Sequence, residues 1–338
     1  MKWTQLLFAS LLFLSNTAIA TGIGFSQITL KDNPDRPLDT AIWYPTQEES
    51  NTTEIGANPV FVGTHVIPGA QIQSGTFPVV LLSHGYRGNW RNQNWLASKL
   101  AKRGYIVAAL NHPGTTSLDH SSKQAAKWWE RPRDMSRVLD YLFTASRWKK
   151  HARTANVTAI GHSLGGWTVM QLAGARIDRT TFEANCLKYP NPKTCGLAKE
   201  LGLSTVQALE PSSKELRDPR IKRIVSLDLG LARSFSVNSL RGINLPLLIL
   251  AAGVDIGDLP QATESGYIAE HVPLNSRRYK VYENAAHFSF IQLCKPGAEV
   301  LLEDEVPGDG IICTDGINAS RSQLHQLMFN DIIGFIER

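Results

Sequence analysis

After its first 20 residues the sequence contains no uninterrupted apolar run of the ~18 residues that a membrane-spanning helix needs, so no transmembrane segment is expected. Its four cysteines form no Cys-x-x-Cys pair and have no histidine cluster beside them, which argues against a metal site. It has no glycine-rich phosphate loop and no dinucleotide fingerprint, so no cofactor is implied. No internal repeat is visible, and 26 Gly with 17 Pro exclude collagen-like or low-complexity chains. Charge is sparse, at 19% of 338 residues, and 35 Lys and Arg against 30 Asp and Glu leave a net +5. A surplus that small gives no reason to expect a nucleic-acid partner. Against these absences stand 43% hydrophobic residues, enough to bury a sizeable core.

Residues 1–20 read as a signal peptide: Lys2 precedes an apolar run from Leu6 to Leu14, followed by the small-x-small pattern Ala18-Ile19-Ala20. The mature chain is expected to start at Thr21 and to be exported, to the periplasm or the extracellular space. An oxidising destination makes disulfides the natural use of the cysteines. Three pairings are possible, and the two local ones, Cys186 with Cys195 and Cys294 with Cys313, are favoured by proximity.

Gly24 to Leu30 and Leu38 to Tyr44 read as an N-terminal β-hairpin around the polar turn from Lys31 to Asp35. From Pro78 apolar strands alternate with amphipathic helices. The strands are Val79 to Ser83, Tyr105 to Asn111, Val157 to Gly161, Ile221 to Leu227, Leu245 to Ala251 and Arg278 to Glu283. The helices cover Asn94 to Lys102, Ala125 to Thr144 and Ser322 to Ile336. Strands that are apolar throughout, each followed by a helix, predict an α/β fold whose mainly parallel central sheet is covered on both faces. Residues 21–338 are read as one catalytic domain with two decorations. One is a cap or long loop over 175–219, and the other an excursion over 295–320 tied by the second cysteine pair.

Strand 157–161 runs into Gly161-His162-Ser163-Leu164-Gly165 and then into a helical stretch, which is the setting a nucleophile elbow requires. Without that flanking pattern the motif would be a glycine-rich turn. A serine hydroxyl needs a base, and His287, between the last predicted strand and the terminal helix, is the first candidate; His112 is the second. The acid that orients the base is Asp255 or Asp228, each at the end of an apolar strand, with Asp255 placed first and Asp258 third. The backbone N–H groups of Tyr86 and Leu164 are the expected oxyanion donors, each worth roughly 3 kcal/mol in comparable sites. Trp167, Phe288 and His112 are expected to line the substrate pocket, with Trp90, Trp95 and Phe290 as further aromatics beside it and core packing as the alternative for the last two.

At these residues the chain resembles the α/β-hydrolase superfamily, and within it the exported serine hydrolases called predicted dienelactone hydrolases, which are similar to platelet-activating-factor acetylhydrolases. The resemblance rests on Arg36-Pro37-Leu38, Trp43-Tyr44-Pro45, Ser83-His84-Gly85, Arg131-Pro132-Arg133-Asp134, Gly161 to Gly166, and Ala286 to Phe290 with Cys294. Dienelactone hydrolases use a cysteine nucleophile, where position 163 here is serine. The acetylhydrolase pattern implies Asp228 as the acid and that of most other relatives Asp255, so both stay open.

The resulting expectation is an exported serine esterase or lipase acting on a small-molecule or lipid ester, with lipid degradation as one use. The alternative is a non-catalytic secreted binding protein on the same fold. The basic run from Lys123 to Arg153, with Trp128-Trp129, suggests transient contact with a lipid surface; the plainer reading is the solvated face of a long helix.

Overall fold

The computed structural model describes residues 20–203, 216–255 and 259–338, so most of the expected signal peptide lies outside it. The hairpin is present: β1 (Gly22–Leu30) and β2 (Leu38–Thr46) pair antiparallel from Gly22↔Thr46 to Leu30↔Leu38. Two strands absent from the sequence reading, β3 (Thr53–Ile55) and β4 (Thr64–Pro68), extend this edge. They are too short for an apolar alternation to stand out.

The repeating unit follows as β5 (Phe77–Ser83), α1 (Asn94–Lys102), β6 (Ile106–Leu110), α2 (Ser122–Ala125), α3 (Glu130–Thr144), β7 (Ala152–His162) and α4 (Leu164–Leu172). Next come α5 (Arg179–Lys188), α6 (Pro192–Glu200), β8 (Ile221–Leu227), α7 (Val237–Arg241), β9 (Leu247–Val254), α8 (Ser265–His271), β10 (Arg277–Ala286), α9 (Ala298–Glu305) and α10 (Arg321–Ile336). The sheet order is β10-β9-β8-β7-β5-β6-β2-β1-β4-β3. Strands β5 to β10 are mutually parallel, as the unbroken apolar runs of β5, β6 and β9 predict. The chain passes from β5 outward to β6 and then back across to β7. Crevices at the carboxyl ends of strands near such a reversal are where α/β sheets bind ligands.

Alternate residues of each strand enter opposite cores. Leu81, Ala108, Ala159 and Ile224 pack with Met135, Val138 and Leu139 of α3 and with Trp167 and Met170 of α4. Leu82, Ala109, Ile160 and Val225 pack with Leu96 and Leu100 of α1 and with Met328 and Ile332 of α10. Each such aliphatic side chain, fully buried, contributes about 1.5–3 kcal/mol relative to exposure. Among the described residues no helix is long and apolar enough to cross a membrane.

The helix expected over 125–144 is divided, with α3 beginning only at Glu130. Pro132 explains the start: lacking an N–H, it is tolerated in a first helical turn but not in an interior. The basic run is not uniformly solvated either. Trp128 and Trp129 are buried, Trp128 meeting Trp167 edge-on at 5.7 Å, and Arg131 and Asp134 are fully enclosed. Charge counted along the sequence does not reveal which helical positions face the sheet.

Both local cysteine pairings are present as disulfides, Cys186–Cys195 joining α5 to α6 and Cys294–Cys313 closing the loop that contains α9. Beside the second bridge, Arg321 pairs with Asp315 at 3.1 Å and donates to the carbonyls of Gln292 and Ile312, while Ser289 donates its hydroxyl to Asp315. Replacing Cys294 and Cys313 together with alanine is expected to lower stability by about 3 kcal/mol, on a chain-entropy estimate. The measurement is the shift of the denaturant midpoint. An unmoved midpoint would mean that the Arg321–Asp315 cluster alone holds this loop.

Candidate active site

Strand β7 ends in a sharp turn at Ser163, whose φ of 55° and ψ of −121° are unusual for a residue with a side chain. Such a conformation costs on the order of 1–3 kcal/mol and persists only when the surroundings impose it. Here the Ser163 N–H donates to Leu227 O at 3.0 Å, tying the turn to β8. The turn also packs against β5 so closely that a Cβ on Gly165 would fall 1.9 Å from the Ser83 carbonyl oxygen. On Gly85 a Cβ would stand 3.1 Å from Ser163 Cβ. The Ser163 hydroxyl is not used to cap α4, although the residue occupies the N-cap position.

His287 follows β10 at the start of a short helical turn. Its Nδ1 lies 2.7 Å from Asp228 Oδ2. Asp228 ends β8 at a φ of 42°, and its Oδ1 accepts the Ala252 N–H at 2.8 Å, so one carboxylate joins three neighbouring strand ends. The main chain here is held as well: the His287 carbonyl accepts from His162 Nε2 at 2.8 Å, and the preceding Ala286 N–H donates to Ser289 Oγ.

Asp255, placed first in the sequence reading, is not the carboxylate beside the imidazole. It is exposed, and its Oδ1 accepts the Leu259 N–H at 3.0 Å. The reason is stagger. Leu227 pairs with Leu250, so Asp228 stands level with Ala251, and Asp255 lies four residues beyond, on the order of 13 Å along the strand direction. Asp258 lies outside the described residues.

The expected oxyanion donors sit on either side of the elbow. Leu164 opens α4, where the N–H groups of a first turn have no partner inside the helix. Tyr86 follows Gly85, whose carbonyl accepts from His84 Nδ1 at 2.7 Å and from the Gly88 N–H at 3.1 Å. In a trans peptide the N–H points opposite the carbonyl, so these two bonds turn the Tyr86 N–H the other way. The Tyr86 phenol reaches out to the Glu200 carboxylate on α6, and burial raises its pKa.

His112 and Trp167 belong to the core rather than to a pocket wall. His112 is fully buried between Ser83 Oγ at 2.9 Å and Asp134 Oδ2 at 3.0 Å. Burial, with Arg131 and Arg36 nearby, pushes its pKa well below the ordinary imidazole range. A neutral ring there donates from Nδ1 to Asp134 and accepts from the Ser83 hydroxyl, while Arg36 grips both oxygens of Asp134. Trp167 is equally enclosed and donates its indole N–H to Ser234 Oγ. Phe288 is half-buried and meets the His287 ring edge-on at 5.1 Å, a position suited to a substrate wall. Trp90, Trp95 and Phe290 are buried in the core on the α1 and α10 face.

Three groups around the site are assigned no role in the sequence reading. Arg131 lies under the turn that carries Tyr86, His84 grips that turn from within, and Glu264 reaches from the loop before α8 to Thr194 of α6 and to the Ala232 N–H. The quoted Arg131-Pro132-Arg133-Asp134 motif held a usable signal, since an arginine between a Trp pair and a helix-starting proline suits a buried first turn. Nothing in sequence marks Glu264. Among the described residues no group of three or more His, Cys, Asp or Glu side chains is arranged to hold a metal ion.

The model of the family Serine aminopeptidase, S33 matches residues 76–187, a stretch that holds Tyr86, Arg131 and Ser163 and stops before Asp228 and His287. The chain is 27% identical over 132 residues to cutinase est1 of Thermobifida alba, a match covering 38% of this chain and 40% of that protein. It is 26% identical over 116 residues to a bis(hydroxyethyl) terephthalate hydrolase of Streptomyces coelicolor, covering 34% of each. It therefore spans well under half the length of these curated relatives. In fold it is similar to a ferulic acid esterase from Streptomyces cinnamoneus, with a TM-score of 0.63 at 19% identity, over 96% of this chain and 91% of that one.

Glu264 generates a pH prediction. Burial raises its pKa from 4.5 to about 7, so the folded state holds a proton that the unfolded state releases. Its stabilising contribution is complete below about pH 4.5 and is lost as the pH rises to about 7, by on the order of 3 kcal/mol. Glu264→Gln keeps the shape of the protonated acid. Its thermal midpoint is expected to exceed that of the wild type at pH 8 and to converge with it near pH 5. Parallel curves across that range would mean that Glu264 does not change charge there.

Proposed function

We propose that this chain, a member of the α/β-hydrolase superfamily, is an exported serine hydrolase that cleaves carboxylic esters through an acyl-enzyme intermediate. The observation that carries the proposal is the Asp228–His287 contact of 2.7 Å at the strand ends beside a serine whose hydroxyl is left free of capping. In this reading Ser163 Oγ attacks the ester carbonyl carbon while His287 Nε2 takes the hydroxyl proton. Asp228 holds the Nδ1–H tautomer and stabilises the imidazolium that forms. The N–H groups of Tyr86 and Leu164 bind the oxyanion of the tetrahedral intermediate. Its collapse expels the alcohol, which leaves with the proton from His287. Water, activated by the same imidazole, then attacks the acyl-enzyme, releases the acid and restores Ser163.

The relatives named for cutin and terephthalate esters, and the fold neighbour named for ferulic acid, support an ester substrate and favour an aromatic or long acyl group over a peptide. Phe288 beside the base is the wall such an acyl group would meet. The contacts of α6 with Tyr86 and Glu264 support residues 175–219 as a cap at the entrance of one domain spanning 21–338. The two disulfides support export to an oxidising compartment.

The test joins labelling to mutagenesis. A fluorophosphonate probe is expected to label the wild type at Ser163 and to leave Ser163→Ala unlabelled; an unlabelled wild type would favour a binding protein instead. On p-nitrophenyl esters, Ser163→Ala and Asp228→Asn should each lose about four orders of magnitude in kcat with the thermal midpoint little changed. Asp255→Asn should stay within about tenfold of wild type, since an exposed carboxylate that caps a loop does not touch the imidazole. The reverse pattern for the two aspartates would return the acid to Asp255. Comparing bis(hydroxyethyl) terephthalate, methyl ferulate, an acyl-chain ladder and a phospholipid ranks the substrates.

A further inference from the structure

Arg131 is a buried cation that, among the described residues, has no carboxylate within hydrogen-bond distance. Its hydrogen bonds run to four neutral oxygens: Nε to Thr168 Oγ1 at 2.8 Å, Nη1 to Thr115 Oγ1 at 2.5 Å, and Nη2 to His84 O at 2.6 Å and to Ser83 Oγ at 3.3 Å. Asp134, one helical turn away on α3, offsets part of the cost of burying this guanidinium, yet burial still pulls its pKa down to about 9. A position that keeps so costly a group for packing alone would be better served by an apolar side chain of similar volume.

The four acceptors divide into two sets. His84 and Thr115 hold the turn that carries Tyr86: the His84 carbonyl lies two residues before the Tyr86 N–H, and Thr115 O accepts the Arg87 N–H at 2.8 Å. Thr168 belongs to α4, and its hydroxyl passes the bond on to Leu164 O at 2.8 Å. One planar fork thus spans the two segments whose N–H groups would bind an oxyanion. Resting on the serine-hydrolase reading above, we propose that Arg131 is a positioning residue that sets the separation of the Tyr86 and Leu164 N–H donors, acting through His84 O on one side and Thr168 Oγ1 on the other.

Lysine cannot replace it, because a single ammonium lacks the fixed angle between donors that reaches both segments at once. Buried as it is, Arg131 does not touch substrate. Its effect falls on the oxyanion, which exists only along the reaction path, and so on kcat rather than on KM.

The experiment compares Arg131→Lys, Thr168→Val and Thr168→Ser with wild type, using kcat and KM on p-nitrophenyl acetate, the affinity for a trifluoromethyl ketone that forms a tetrahedral adduct, and thermal midpoints. Arg131→Lys is expected to lose about a hundredfold in kcat, and Thr168→Val about tenfold, with KM within about twofold and ketone affinity falling in step with kcat. Thr168→Ser, which keeps the hydroxyl, should regain most of the Thr168→Val loss. Should Arg131→Lys fail to fold, the Thr168 pair carries the test by itself. Lowered midpoints with kcat and ketone affinity unchanged would overturn the proposal and leave Arg131 a structural group. A wild type that neither turns over the ester nor binds the ketone would instead overturn the serine-hydrolase reading, and this role with it.

Discussion

The close contact between the end of β5 and the turn after β7 is the constraint on which the rest of the site depends. With only 1.9 Å between the Ser83 carbonyl oxygen and an imagined Cβ on residue 165, no side chain fits there. That approach brings the Tyr86 turn and the first turn of α4 to opposite sides of Ser163. It also makes the positive φ at Ser163 tolerable, because packing against β5 and the bond to Leu227 O leave the residue no relaxed alternative. Asp228, the next strand end along, shows the same strain and the same remedy, with its N–H bound to Leu250 O and its carboxylate to Ala252.

His84, His112 and His162 are fully enclosed, and desolvation holds each pKa well below the ordinary imidazole range. As neutral rings with one donor and one acceptor each, they serve as connectors: His84 joins Gly85 O to the His112 N–H, His112 joins Ser83 to Asp134, and His162 holds the His287 carbonyl. Such rings suit a buried network because every polar atom can be satisfied without net charge. His287 stands instead at the carboxyl end of the edge strand β10, with its Nδ1 2.7 Å from Asp228 Oδ2.

Helix α6 meets the rest of the chain at two chemically distinct points. The Tyr86 phenol donates to Glu200, and Thr194 donates to Glu264, whose other oxygen holds Ala232 just past the Asp228 turn. The first contact touches the proposed oxyanion turn and the second the segment after the proposed acid.

Much of the architecture was legible because it is written in neighbouring residues. Alternating strands and helices, the hairpin, the glycine-flanked serine between β7 and α4, the position of His287 after the last strand and the pairing of cysteines nine and nineteen residues apart all follow from local spacing. The start of α3 was misplaced only because a proline two residues into a helix reads differently from one in its middle. What tertiary structure decided was everything that depends on how far one strand runs past its neighbour or which way a helix faces. Asp228 and Asp255 look alike in sequence, each a carboxylate after an apolar strand. They differ only in stagger, which side-chain packing across the sheet sets and no short window contains. Arg131 and Asp134 read as surface charge until α3 docked that turn against β5 and α4. His112 and Trp167 read as pocket walls until the same packing enclosed them. Periodicity and spacing are local quantities that a sequence carries outright, whereas depth and register arise from contacts between distant segments and exist only once the chain has folded.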